Sequence, residues 1–223
     1  MKPVPFRLYL PLLTPVCINA PWICLDGVLM HLIQLRLHGR SYYYLPTKQV
    51  VKFVGEHRYQ RALFFGHNGI PHASASIFEG DVKPKSLQYY KRLEVDGFPG
   101  KRKISQGTGY FRAWSLRTVY IPAKGVTFYG CGNLRLIAEL LELLTHLGND
   151  TRVGWGLIDK KRMVLEEIPE DRSVVWEGKA MRPIPVRFLR KYSDTVYLPW
   201  RSPYWAAENV EMCAPPGAEV ELA

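Results

Sequence analysis

Two leucine-rich segments constrain the fold of this chain more than any other feature. CLDGVLMHLIQLRLHG runs from Cys24 to Gly39, and NLRLIAELLELLTHL runs from Asn133 to Leu147. Both repeat apolar residues at helical spacing and are long enough to be helices rather than buried strands. In the first, Asp26 stands where an N-cap belongs and Gly39 where a C-cap belongs. In the second, leucines occupy nearly every side, which predicts a largely buried helix.

The segments around them read as strands. Phe6–Leu13 is apolar and aromatic and stops at Thr14-Pro15. Tyr110–Ile121, Val126–Tyr129, Val153–Ile158 and Met163–Ile168 have the same character. From Arg40 to Pro122 the pattern loosens into short β-like runs (Ser41–Leu45, Val50–Val54, Ala62–Phe65) separated by loops. Residues 40–122 are read as carrying an insertion; with that insertion set aside and Tyr110–Ile121 kept as a core strand, the order is strand, helix, strand, strand, helix, strand. That order predicts an α+β, ferredoxin-like (RRM-like) βαββαβ core within a single domain spanning residues 1–223. The proline-rich remainder, 169–223, holds a basic stretch (RPIPVRFLRKY) and an aromatic one (YLPWRSPYW), and reads as an extended strap over the core.

The charge is one-sided. Lys and Arg outnumber Asp and Glu by 30 to 20, a formal +10. Between Val82 and Lys124 there are ten Lys or Arg and only two acids, Glu94 and Asp96. A balance of that kind points to a polyanion, nucleic acid before membrane. No run of about 18 apolar residues is present to cross a membrane as a helix. The proline-broken N-terminus reads as a strand and not a signal, so a cytoplasmic protein is expected. Cys17, Cys24, Cys131 and Cys213 are scattered without a CxxC pair, so neither a zinc site nor a disulfide framework is indicated, and no cofactor or metal is expected.

Four features carry candidate chemistry. KRLEVDGFPGKRK reads as a basic hairpin turning at Asp96–Gly100, followed by YFRAWSLR. Lys101, Arg102, Lys103, Arg112 and Arg117 offer cations for phosphates and Trp114 a ring for a base; on a strand, Arg112 and Trp114 share a face. Second, GCGN precedes the second helix, where Gly130, Gly132 and Asn133 could present free backbone N–H groups and a helix dipole to one phosphate. The alternative is a tight strand-to-helix turn, and Arg135 in place of a third glycine argues against a dinucleotide fingerprint. Third, GNDTRVGWG places Gly154 and Gly156 around Trp155 on an expected strand, with Arg152 at its lip. Bare glycines there let another backbone approach closely. Fourth, His31, His67 and His72 lack the acid spacing of a metal site, but a metal-free ribonuclease could use such residues in acid–base roles.

Together these pieces resemble the RAMP-type CRISPR proteins, which hold RNA with ferredoxin-like domains and a glycine-rich segment after the second helix. GNDTRVGWG matches that segment in character and place. TPVCINAPWICLDGVLMHLI, with its Leu25–Gly27 LDG, and the late WRSPYW, Trp200–Trp205, are similar to the Cas-five-like subunit of type IV CRISPR effectors, which caps the crRNA five-prime handle. The resemblance implies a non-catalytic RNA-binding subunit that grips the handle and nucleates a filament of backbone subunits for target DNA interference. Its partners would be crRNA, the backbone subunit and the large subunit, with target DNA reached indirectly and no membrane. Trp200, Arg201, Tyr204 and Trp205 would contact a partner. A metal-independent repeat endoribonuclease is the alternative.

Overall fold

The computed structural model describes residues 2–39, 41, 62–66, 68–91, 107–108 and 112–223. Its centre is an antiparallel sheet built on one alternating strand. In β1 (Val4–Pro11), Phe6, Leu8 and Leu10 are fully buried on one side while Arg7 and Tyr9 face the other. Strand β6 (Ala123–Gly132) pairs along all of β1, with Leu8 opposite Phe128 and Leu10 opposite Val126, so the apolar faces coincide. Strand β7 (Val164–Glu167) closes the other edge of β1, and β3 (Ile77–Gly80) closes the far edge of β6. The spatial order is β3-β6-β1-β7.

Helix α1 (Leu25–His38) lies between β1 and β3 in the chain, and α2 (Leu134–Leu141) between β6 and β7. Leu25, Val28, Leu29, Leu32, Ile137, Leu140 and Leu141 join Phe6, Leu8, Leu10, Val126 and Phe128 in one core, so both helices cover the same face. Chain order and sheet order together are those of the ferredoxin-like α+β fold.

Four expectations change. The second core strand is Ile77–Gly80, not Tyr110–Ile121. The latter becomes β5 (Trp114–Ile121), which pairs with β4 (Lys85–Lys91) and, at its end, with β2 (Val16–Cys17), in a separate sheet. Helix α1 is capped by Cys24, whose carbonyl accepts from the Gly27 and Val28 amides; Asp26 is inside the first turn and buried. Helix α2 stops at Leu141. Leu144 and Leu147 reach the core from a turn instead, and the Leu147 amide donates to the Gly156 carbonyl. Residues 153–158 are not a strand: a 3₁₀ turn (Thr151–Val153) leads into Gly154 and Gly156, both at positive φ.

The segment after residue 168 is also more than a strap. It folds into short antiparallel strands: β8 (Val175–Trp176) with β9 (Lys179–Ala180), β13 (Val210–Ala214) between β10 (Ile184–Pro185) and β12 (Val196–Pro199), and β11 (Leu189–Tyr192) with β14 (Val220–Leu222). They enclose a second core of Val174, Ile184, Leu189, Trp200, Cys213 and Val220. Prolines sit where a missing amide is tolerated, Pro185 being the last residue of the two-residue β10. All four cysteines are unpaired and buried.

Candidate nucleic-acid interface

The β4–β5 ribbon carries the exposed cations and rings. Opposed residues of an antiparallel pair share a face. One face therefore holds Lys85, Leu87, Tyr89 and Lys91 with Trp114, Leu116, Thr118 and Tyr120. The other holds Gln88, Tyr90, Arg117 and Val119, tied across by a hydrogen bond from Gln88 Nε2 to Ser115 Oγ (2.7 Å). Every residue of β4 except Lys91 is exposed, and Tyr90 and Trp114 remain 70% and 47% accessible. Among the described residues no helix covers these strands, so rings that would normally be buried stay in water, a pattern that marks binding surfaces. Lys85 is engaged with Asp81 at 2.8 Å, whose carboxyl that hydrogen bond holds below the usual range. Arg117 forms no ion pair among the described residues. Arg112 is exposed and precedes the strand, outside its paired residues, and Arg117 falls on the face opposite Trp114. Lys101, Arg102, Lys103 and the turn at Asp96–Gly100 lie outside the described residues.

GNDTRVGWG meets the base of this ribbon. The Trp155 ring stacks on Tyr120 at 5.0 Å and 33°, on the face that also carries Trp114. Arg152 is exposed beside it. The glycines do not open a channel. Gly156 donates its amide to the Pro15 carbonyl, the Gly154 carbonyl accepts from Thr14 Oγ1, and a Cβ on Gly148 would overlap the Cys17 carbonyl. Glycine is needed there because the loop closes onto the Thr14–Cys17 segment with left-handed backbone.

GCGN is likewise a packing motif. A Cβ on Gly130 would overlap the Phe6 ring, and one on Gly132 the Ala62 carbonyl. The Asn133 amide donates to that same carbonyl, and its side chain accepts from the Leu136 amide as the N-cap. The expectation of free N–H groups for a phosphate is therefore corrected: the Cys131 and Asn133 amides go to the His72 and Ala62 carbonyls and the Leu136 amide to the cap.

The LDG and WRSPYW motifs belong to one buried network. Asp26 accepts from the Tyr204 hydroxyl (2.6 Å) and the Ser202 amide (2.9 Å), and Gly27 leaves room for the Tyr204 ring, which a Cβ would meet at 3.1 Å. Burial and the Asp26 carboxylate push the Tyr204 hydroxyl well above its usual pKa. Arg182, fully buried, stands 3.7 Å from Asp26 and donates to the carbonyls of Pro71 (2.6 Å), Ala73 (2.7 Å) and Trp200 (2.5 Å). Sequence reading missed it, because within a basic segment nothing distinguishes it from its exposed neighbours. Trp200 is 3% exposed and Arg201 bonds Asn209, so of the four expected partner residues Trp205, 51% exposed, is the one facing outward as a ring. Trp205→Ala is accordingly expected to change unfolding free energy by less than about 0.5 kcal/mol, read by denaturant titration.

The histidines separate. His31 lines a cavity of about 570 Å³ between α1 and residues 143–149, and burial lowers its pKa. His72 Nδ1 lies 2.5 Å from Asp171; burial pushes that carboxyl up, but the bonds from His72 and Ser173 outweigh it and hold it low. His67 lies outside the described residues. Among the described residues no group of His, Cys, Asp or Glu is arranged to hold a metal, and no helix is long and apolar enough to cross a membrane.

Comparison with known families decides the affiliation. The family described as CRISPR type IV associated protein Csf3 matches residues 68–216, about two thirds of the chain. The chain belongs to the Csf3 family. Comparison with the curated proteins finds no match. The span matched to Csf3 takes in the ribbon, α2, the glycine loop and WRSPYW; the LDG of α1 lies before it. The chain is thus a type IV CRISPR-associated subunit.

Proposed function

We propose that this chain is a non-catalytic RNA-binding subunit of a cytoplasmic type IV CRISPR ribonucleoprotein effector. It grips the crRNA five-prime handle and nucleates the filament of backbone subunits, next to the large subunit, for interference with target DNA. The observation that carries the reading is the exposed β4–β5 ribbon, which offers Trp114 on one face and Tyr90 with Arg117 on the other, with Arg112 exposed just before it. The formal +10 supports it, and so does membership of the Csf3 family. Exposed rings stack bases and arginines neutralise phosphates, so affinity for crRNA should fall steeply with salt. Trp114→Ala should cost about 1–3 kcal/mol of binding. Arg117→Ala should weaken binding and reduce the salt slope by about one. Affinity that ignores salt and both substitutions would remove the reading.

One observation favours the second reading, a metal-independent repeat endoribonuclease. His72 is oriented by Asp171 as a general base is oriented by a carboxylate. Incubation of the purified protein with repeat RNA in EDTA separates the two. Intact RNA is expected; cleavage abolished by His72→Gln would establish the nuclease.

A further inference from the structure

The face of the sheet opposite α1 and α2 carries a row of rings and, in Arg172, a cation without an ion pair among the described residues, and the ribbon reading leaves both unused. Arg7 and Tyr9 on β1 point away from the helices, and Tyr129 on β6 stands opposite Arg7. Tyr129 and Tyr9 are therefore diagonal neighbours on the two central strands, about 7–8 Å apart. The Tyr9 ring lies across Gly125, where a Cβ would be 2.5 Å from it, so glycine holds that ring flat on the sheet. Past β7 the chain crosses to Arg172, whose guanidinium is 4.0 Å from the Trp176 ring centre and 5.9 Å from that of Tyr129.

The other charged groups on this face are engaged. Arg7 pairs with Glu166 at 2.7 Å, and Asp171 is held by His72 and the Ser173 amide, while Glu79 accepts from the Thr127 hydroxyl at 2.7 Å, a bond that leaves its charge without an ion pair among the described residues. Arg172 makes no hydrogen bond or ion pair among the described residues, and its Nε is buried without a partner. A guanidinium immobilised by two rings, yet with no counter-charge, is preorganised for an anion it does not yet have. Unstacked RNA bases are held on aromatic rings and on arginine planes, and a four-stranded sheet with rings on its central strands suits that use.

We propose that this face is a stacking platform for a single-stranded RNA segment, with bases on Tyr9 and Tyr129 and a phosphodiester on Arg172. It rests on the RNA-binding reading but uses a different surface from the ribbon. The test uses the full chain and a short oligouridylate carrying bromouridine. Ultraviolet crosslinks should form at Tyr9 or Tyr129. Tyr129→Leu and Arg172→Ala should each weaken binding about tenfold without lowering the melting temperature. Arg172→Lys should restore only part of the loss, because an ammonium neither stacks nor forks. Trp114→Ala serves as the ribbon control. If Trp114→Ala weakens binding while the Arg172 and Tyr129 variants bind like wild type, the platform is overturned and the ribbon reading stands. If the unaltered protein binds no RNA, both fall. If the Arg172 variants keep RNA affinity but lose a partner subunit, the face takes a protein carboxylate, and the RNA proposal is overturned.

Discussion

Arg182→Ala is expected to lose about 3–5 kcal/mol of folding stability, the cost of breaking a buried ion pair from one side. Asp26 would keep a buried charge with only the Tyr204 hydroxyl and the Ser202 amide to hold it. The carbonyls of Pro71, Ala73 and Trp200 would lose their shared donor at the same time. Each unsatisfied buried group costs about 1–3 kcal/mol. For that reason, pairing Arg182→Met with Asp26→Leu should recover the charge penalty but not the carbonyl penalty, and remain less stable than wild type. Denaturant unfolding of the single and double variants measures both. Because this network joins the start of α1 to the tail, the weakened protein should also become sensitive to proteolysis after Pro199. A loss below about 1 kcal/mol would mean that water replaces the guanidinium, and that Asp26 is not held as described.

The second large effect separates two glycines that look alike in sequence. Gly156 sits at φ +68° with its Cβ position on the Leu147 carbonyl, so alanine meets both left-handed strain and a backbone overlap. Strain of about 1–2 kcal/mol and overpacking of about 1–3 kcal/mol predict a loss of roughly 2–5 kcal/mol. Gly154, at φ +96° with nothing near its Cβ position, should lose only the strain, about 1–2 kcal/mol. Melting curves beside RNA-binding curves read the result. Binding is expected to fall only as folded protein is lost. A Gly156→Ala variant that melts like wild type yet binds poorly would return this loop to the role of an RNA cradle.

The core was legible because its signals are local. Phe6, Leu8 and Leu10 alternate, and Leu25–Leu32 and Leu134–Leu141 have helical period, so strand and helix types follow from which side each residue faces. The second core strand was not legible. Ile77–Gly80 is a short edge strand with exposed residues, while Trp114–Ile121 looks more like a core strand because it is aromatic and β-branched. β-propensity reports a fit to a pleated surface and not which sheet a strand joins. The same limit applies to the tail, whose apolar residues are too irregularly spaced to announce a second core.

For the candidate site, the sequence alone determined which residues alternate along β5, with Trp114 and Arg117 on opposite faces, because alternation along a strand is a property of the backbone. It likewise determined the strongly basic balance of residues 82–124 and the presence of LDG, GNDTRVGWG and WRSPYW in one chain. Only the tertiary structure decided what those motifs do. Asp26 could cap a helix, bind a ligand or meet Arg182, and the choice depends on a residue 156 positions away. The glycines of GNDTRVGWG could flank an RNA or close a turn, and the Pro15 and Leu147 carbonyls beside them decide for the turn. Tyr9, Tyr129 and Arg172, far apart in the chain, become neighbours only because β1 and β6 pair in one register. A residue's type sets which interactions it can make, but burial and partners, which fix the energy of each, exist only once distant segments have packed.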